Sequence, residues 1–253
     1  MLRDSPVTGL PVLVALPGTI CSPEIFGELQ ARLSGRIVID GVSWMGGDGP
    51  WDIPSVANAV AEHIRLSLDP PVMVAGHSTG GAIAIWLAAE HPELVSGLML
   101  LNTGPHMRGH GDVDAIIEAL TRDWEATTTM ILARSFASSV PDSFRSTLED
   151  FAAVASPQAA SAVLYSQRDL DLTDRLGSVL CPVVVVHGVL DRVRTVSGAS
   201  ELEAAIANAT LSLVEAGHSP MFEAPDVVAE LVLELLNKVA GTDSAMRQVD
   251  EDG

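Results

Sequence analysis

Short apolar runs recur along the chain, and most are apolar at every position rather than at alternate ones. Residues 11–16 (PVLVAL), 36–40 (RIVID), 71–75 (PVMVA), 97–101 (GLMLL) and 182–187 (PVVVVH) are such runs, and 210–214 (TLSLV) is a sixth. A run rich in Val, Ile and Leu that is apolar on both faces predicts a buried parallel strand. Between the runs lie segments of helical pattern. Residues 24–33 form one, and 53–68 another, with Val56, Val60 and Ile64 spaced four apart on one face. Residues 79–91 are nearly all small or apolar and stop before Pro92, which predicts a buried helix. Residues 197–208 and 226–239 complete the set. Strand, helix and strand at this spacing predict an α/β fold with a mostly parallel sheet flanked by helices.

Residues 105–179 break the alternation. They hold no convincing strand and four helical segments, near 113–122, 124–136, 142–154 and 157–167. The expected organisation is a core made of residues 1–104 and 180–240, a helical cap at 105–179 inserted before the next-to-last strand, and a polar, acidic, disordered tail at 241–253. In open α/β sheets ligands sit at the carboxyl ends of the strands, so an insertion there would cover the site. The alternative is a peripheral helical subdomain.

Composition narrows the function. A chain of 253 residues with 47% hydrophobic and 19% charged residues is globular. No apolar run reaches the roughly 18 residues of a spanning helix. The first residues contain no long apolar stretch of the kind a secretory signal needs. With 14 Lys and Arg against 33 Asp and Glu, the formal net charge is −19. That field repels phosphate backbones and anionic lipid surfaces, so neither nucleic acid nor membrane is an expected partner. Cys21 and Cys181 would lie about 17–20 Å apart, at opposite ends of a parallel sheet. A disulfide needs Cα atoms within about 7 Å, so both thiols are expected free, in a reducing cytoplasmic setting. No His or Cys spacing suggests a metal site.

Gly76-His77-Ser78-Thr79-Gly80 fits G-x-S-x-G and falls between a predicted strand and a predicted helix, the context a nucleophile elbow requires. A serine hydroxyl needs a neighbouring base. Of seven histidines, His218 follows the last predicted strand and falls at the same end of the sheet as Ser78. The other six (His63, His77, His91, His106, His110 and His187) are read as surface, packing or elbow residues. Asp191, in the loop after residues 182–187, is placed to orient His218, though it could instead be a turn residue paired with Arg192 or Arg194. Ser, Asp, His is the chain order of the α/β-hydrolases. The oxyanion of an acyl-transfer intermediate needs preorganised N–H donors. One is expected from Thr79, the other from Thr19 or Ile20 in the loop after the first strand.

The segments LPGT, GHSTGG, HGVLD and GHSPMFEAP, in this order and with the helical insertion, resemble the α/β-hydrolase superfamily, among its small cap-bearing esterases, lactonases and C–C hydrolases. The resemblance covers nearly the whole chain. It implies the triad Ser78, Asp191 and His218 and no metal or organic cofactor. Relatives that use aspartate or cysteine at the elbow, the dehalogenases, epoxide hydrolases and dienelactone hydrolases, are disfavoured by Ser78. Two departures stand out: Pro17-Gly18 replaces the usual His-Gly, and there is little room for an antiparallel hairpin before residues 11–16.

The expected activity is therefore hydrolysis of a carboxylic ester, lactone or thioester through an acyl-enzyme. The alternatives are C–C bond hydrolysis, acyl transfer or acyl elimination on the same triad, or a non-catalytic ligand-binding member of the fold. A mainly apolar small-molecule substrate, an acyl compound or lactone, is expected, and the protein is expected to be a monomer or homodimer. Candidate pocket residues are Trp44, Trp124, Phe136, Tyr165 and Met221, with Phe144, Phe151 and Phe222 as further apolar candidates. Trp44 and Met45 either wall the pocket or pack under the loop.

Overall fold

The computed structural model describes residues 9–251 except 47 and 109, with side chains up to residue 241. Its centre is a six-stranded sheet in the order β2-β1-β3-β4-β5-β6, with β1 Val12–Leu16, β2 Val38–Gly41, β3 Val72–His77, β4 Val95–Leu101, β5 Val183–Gly188 and β6 Ala209–Val214. Every neighbouring pair is parallel, with Val14 facing Asp40 on one side and Val74 on the other. No antiparallel strand occurs among the described residues.

The continuous apolar runs are explained by two cores, one on each face of the sheet. Successive side chains of a strand point to opposite faces. Val14, Leu16, Leu98, Leu100, Val183 and Val185 therefore enter one core, and Leu13, Ala15, Met99, Leu101, Val184 and Val186 the other. The first core is closed by α2 (Ile53–Ser67), α3 (Thr79–Glu90) and α8 (Val196–Ala205), the second by α1 (Gly27–Leu33) and α10 (Pro225–Glu251). Each fully buried Val or Leu contributes roughly 1.5–3 kcal/mol, which outweighs the weak intrinsic preference of any one segment.

The insertion is helical, as its pattern predicts: α4 Val113–Arg122, α5 Trp124–Arg134, α6 Asp142–Val154 and α7 Pro157–Asp169. Asp112, Asp123 and Ser156 cap three of these helices, each side chain accepting a bond from an N–H three residues on. Ala159, Ala160 and Val163 of α7 join the first core, so the insertion is seated on the α/β unit. The short helix α9 (Pro220–Glu223) follows the last strand. Of the tail expected to be disordered, residues 241–251 continue α10 to Glu251, and residues 252–253 lie outside the described residues. The tail's Ala245, Met246, Arg247 and Gln248 are good helix formers, and no proline interrupts them. No helix among the described residues is long and apolar enough to cross a membrane.

Candidate active site

β3 ends at His77 and α3 begins at Thr79, which leaves Ser78 alone in the turn with φ 53° and ψ −116°. A non-glycine residue held there carries strain of order 1–3 kcal/mol, tolerated where the surroundings over-determine it. Here the Ser78 N–H donates to Leu101 O at 3.0 Å, and Thr103 Oγ1 donates to Ser78 O at 2.7 Å. The motif glycines are required by close approach. A Cβ on Gly76 would lie 2.4 Å from Gly80 O, and one on Gly80 would lie 2.1 Å from Leu16 O. Ser78 lies at the α3 N-terminus, where the helix dipole favours developing negative charge.

His218 Nδ1 donates to Asp191 Oδ2 at 2.8 Å, and both side chains are buried. Nε2 of His218 has no partner among the described residues, and His218 and Ser78 line the same cavity. Asp191 accepts two further groups of bonds that sequence reasoning did not identify. Asn102 Nδ2 reaches Oδ2 at 2.6 Å, and the N–H groups of Val193 and Arg194 reach Oδ1 at 2.7 and 3.1 Å. Burial is the largest single influence on the Asp191 carboxyl and pushes its pKa up. The donors from His218, Asn102 and Val193 outweigh it and hold the group below the usual carboxylate range, ionised at neutral pH.

Asn102, just past β4 and fully buried, adopts φ 45°, a conformation asparagine tolerates better than most residues. Its Nδ2 also donates to Gly217 O at 3.1 Å, and its Oδ1 accepts from the Gly188 N–H at 3.2 Å, so it ties the Asp191 and His218 loops together. A hydrogen bond to a charged group contributes about 1.5–3 kcal/mol. Asn102→Ala is therefore expected to lower kcat about 10- to 100-fold with little change in KM, and to lower Tm. Steady-state kinetics beside a thermal melt checks this, and an unchanged kcat would contradict it.

Two more residues brace the His218 loop. His77 Nε2 donates to His218 O at 2.8 Å, the tautomer being set by that carbonyl acceptor, and burial followed by the neighbouring His218 pushes His77 down to about 3, so it stays neutral. Glu223 Oε2 accepts from the N–H groups of Gly217 (2.9 Å) and Ser219 (3.4 Å), while its Oε1 accepts from the N–H of Ala137 in the insertion at 2.6 Å.

The loop after β1 faces the elbow. The Ile20 N–H is engaged by Met45 Sδ at 3.2 Å, and Trp44 Nε1 donates to Pro17 O at 2.9 Å. Trp44 and Met45 thus pack under this loop rather than walling the cavity. The Thr19 N–H has no acceptor among the described residues, which separates it from Ile20 as the available donor. A hydroxyl chain crosses the cavity edge: Thr19 Oγ1 donates to Thr79 Oγ1 at 2.8 Å, and Thr79 Oγ1 donates to Gln167 Oε1 of α7 at 2.8 Å.

The cavity has a volume of about 320 Å³. Strand-end loops form one wall, and the insertion forms the other through Ile131, Leu132, Phe136, Leu148 and Leu164. Of the five pocket residues expected from sequence, only Phe136 lines it. Trp44 is in the first core and Met221 is fully buried in the second. Trp124 donates Nε1 to Ala152 O at 2.9 Å within the insertion. Tyr165 is exposed, beneath the Arg168 guanidinium at 4.9 Å. Phe144 and Phe222 stack at 4.1 Å behind Phe136, and Phe151 is outside the lining.

Cys21 also lines the cavity, and both cysteines are free. Burial, and then the charge of Glu24, pushes the Cys21 thiol up to about 12, so it stays protonated. Because the thiolate is the nucleophile, iodoacetamide at pH 8 is expected to alkylate native Cys21 far more slowly than a free thiol, with full labelling on unfolding. Peptide mapping distinguishes the two.

A family model described as Alpha/beta hydrolase family matches residues 13–231. A Pimeloyl-[acyl-carrier protein] methyl ester esterase of Chromobacterium violaceum is 26% identical over 227 residues, 83% of this chain and 88% of that protein. Among solved structures, an esterase (EaEST) from Exiguobacterium antarcticum superposes with a TM-score of 0.82 at 24% identity, covering 90% of this chain and 92% of its own. An enol-lactonase from Burkholderia xenovorans LB400 does so at 0.78 and 20%, covering 90% and 92%. These structural likenesses speak to the fold.

Proposed function

The chain belongs to the alpha/beta hydrolase family, and on that footing we propose that it is a serine hydrolase of carboxylic esters, its reach extending to lactones and thioesters. The observation that carries this reading is the strained Ser78 sharing a cavity with His218, whose Nδ1 is held by an ionised Asp191. The curated relative named for methyl ester hydrolysis favours esters over the other chemistries of this fold.

Ser78 Oγ attacks the acyl carbon while His218 Nε2 takes its proton. Asp191 keeps the ring in the Nδ1–H tautomer and stabilises the imidazolium without itself becoming protonated. The carbonyl oxygen becomes an oxyanion held by the N–H groups of Thr79 and Thr19. Collapse breaks the bond to the leaving group, to which His218 returns the proton. Water, deprotonated by His218, then attacks the acyl-enzyme, releasing the acid and restoring Ser78. In this reading residues 105–179 act as a cap over the site. The apolar lining favours an apolar acyl portion, and the two free thiols suit a reducing compartment.

The test is a panel of p-nitrophenyl and methyl esters, lactones, thioesters and 1,3-diketones. Turnover of esters with stoichiometric release of acid and alcohol is expected. Cleavage confined to 1,3-diketones would overturn the reading in favour of C–C hydrolysis.

A further inference from the structure

One buried cation in the cavity wall makes no direct ion pair among the described residues. Arg194 is 8% exposed and lines the cavity together with Ser78 and His218. It follows Asp191 by three residues, and its backbone N–H is bonded to that carboxylate. The guanidinium itself makes no ion pair among the described residues. Nη1 donates to His106 O at a long 3.4 Å, Nη2 meets the thioether of Met107 at 3.1 Å, and Nε is buried with no acceptor at all.

Buried charges are normally paired, because desolvation of an unpaired ion costs several kcal/mol. Guanidinium offers five N–H donors in a planar fork. Here those donors meet one carbonyl at the edge of bonding distance and one sulfur, a weak acceptor. The wall beside it adds a second polar group without a second charge. His110 lines the same cavity, its Nδ1 is buried without a partner, and burial followed by the field of Arg194 pushes it down to about 3. One buried cation and one neutral imidazole, in a lining whose other two charged groups, Arg134 and Asp112, are exposed and opposite in sign, suit a singly charged planar oxyanion better than a dianionic phosphate.

We propose that Arg194, with His110 beside it, is a carboxylate subsite, and that the preferred substrates are esters that carry a second, ionised carboxylate. This deepens the esterase reading and rests on it. Arg194 is a specificity residue in this account: it binds substrate at a distance from the reacting carbonyl and takes no proton. It also overcomes, inside the cavity, the discouragement that a net charge of −19 gives to anionic substrates outside.

The experiment compares kcat/KM for monomethyl esters of C4 to C8 dicarboxylic acids, and for the hexanoyl ester of glycolic acid, with the neutral dimethyl esters and methyl hexanoate. The two carboxylate sets place the charge on the acyl or the alcohol side. Wild type is expected to prefer at least one carboxylate ester by tenfold or more. Arg194→Gln should abolish the preference chiefly through KM, and Arg194→Lys should retain part of it, since it keeps charge without the fork. Labelling of Ser78 by a neutral fluorophosphonate monitors the machinery separately, and if Arg194→Gln does not fold, Arg194→Lys carries the comparison. No preference in wild type, or a preference that survives undiminished in Arg194→Gln (or in Arg194→Lys where the Gln variant does not fold), overturns the subsite while labelling persists. If wild type neither takes the probe nor hydrolyses any ester, the esterase reading falls first and the subsite with it.

Discussion

Ser78→Ala is expected to lower kcat on the best ester by about 10⁴- to 10⁶-fold while leaving the protein folded. In the proposed mechanism the residual rate comes from donors the substitution does not touch, the Thr79 and Thr19 N–H groups, and from the cavity itself. Stability should change little. Ser78 Oγ has no hydrogen-bond partner among the described residues, and the bonds that hold the turn run through the backbone of residue 78, to Leu101 O and from Thr103 Oγ1. Alanine keeps the Cβ that Ser78 already carries at φ 53°, so no new strain enters. Kinetics together with a melt checks both halves. Unfolding on substitution would mean that the hydroxyl is structural, and full activity would mean that another group attacks the carbonyl.

Asp191→Asn is the second large effect, on the order of 10⁴-fold in kcat. Every group that Asp191 meets is a donor: His218 Nδ1 and Asn102 Nδ2 at Oδ2, and two backbone N–H groups at Oδ1. An amide at 191 must turn its NH₂ toward one of these pairs. If it faces His218, the ring is driven to the opposite tautomer, with the proton on Nε2 where Ser78 needs a lone pair. If it faces the backbone N–H groups, it loses two bonds and leaves the imidazolium without its counter-charge. Stability carries a second signature. The Asp191 carboxyl is held below its unfolded value of about 3.9. Its contribution is therefore present above that pH and is lost as pH falls through the folded value. The Asn variant should be less stable at pH 7 and should lose less on acidification than wild type. Equal slopes in acid would contradict this.

The strands, the elbow and the Asp191–His218 pair were legible because each rests on local pattern: continuous apolar runs, glycines forced by backbone contact, and polar residues just past strand ends. The insertion's helices were legible for the same reason, and its cavity face was not. A helix there borders solvent, core and cavity at once, and a 3.6-residue period separates apolar from polar without saying which apolar surface faces substrate. Tyr165 went to solvent, Trp124 to the insertion's interior and Phe136 to the cavity, although all three sit in similar patterns. Met221 had the motif neighbourhood of the site but faces the second core. Asn102, Gln167 and Arg194 carry no local signal, since each matters through side-chain contacts with residues 86 or more positions away, and in the sequence Arg194 enters only as one of two alternative turn partners of Asp191.

The most direct measurement is intact-protein mass after brief exposure to a slowly hydrolysed ester, followed by peptide mapping. The account predicts a single acyl increment on the peptide containing Ser78, absent from Ser78→Ala and cleared with time in wild type. Turnover with no increment under any quench, or an increment mapped to Cys21 or another residue, would contradict it.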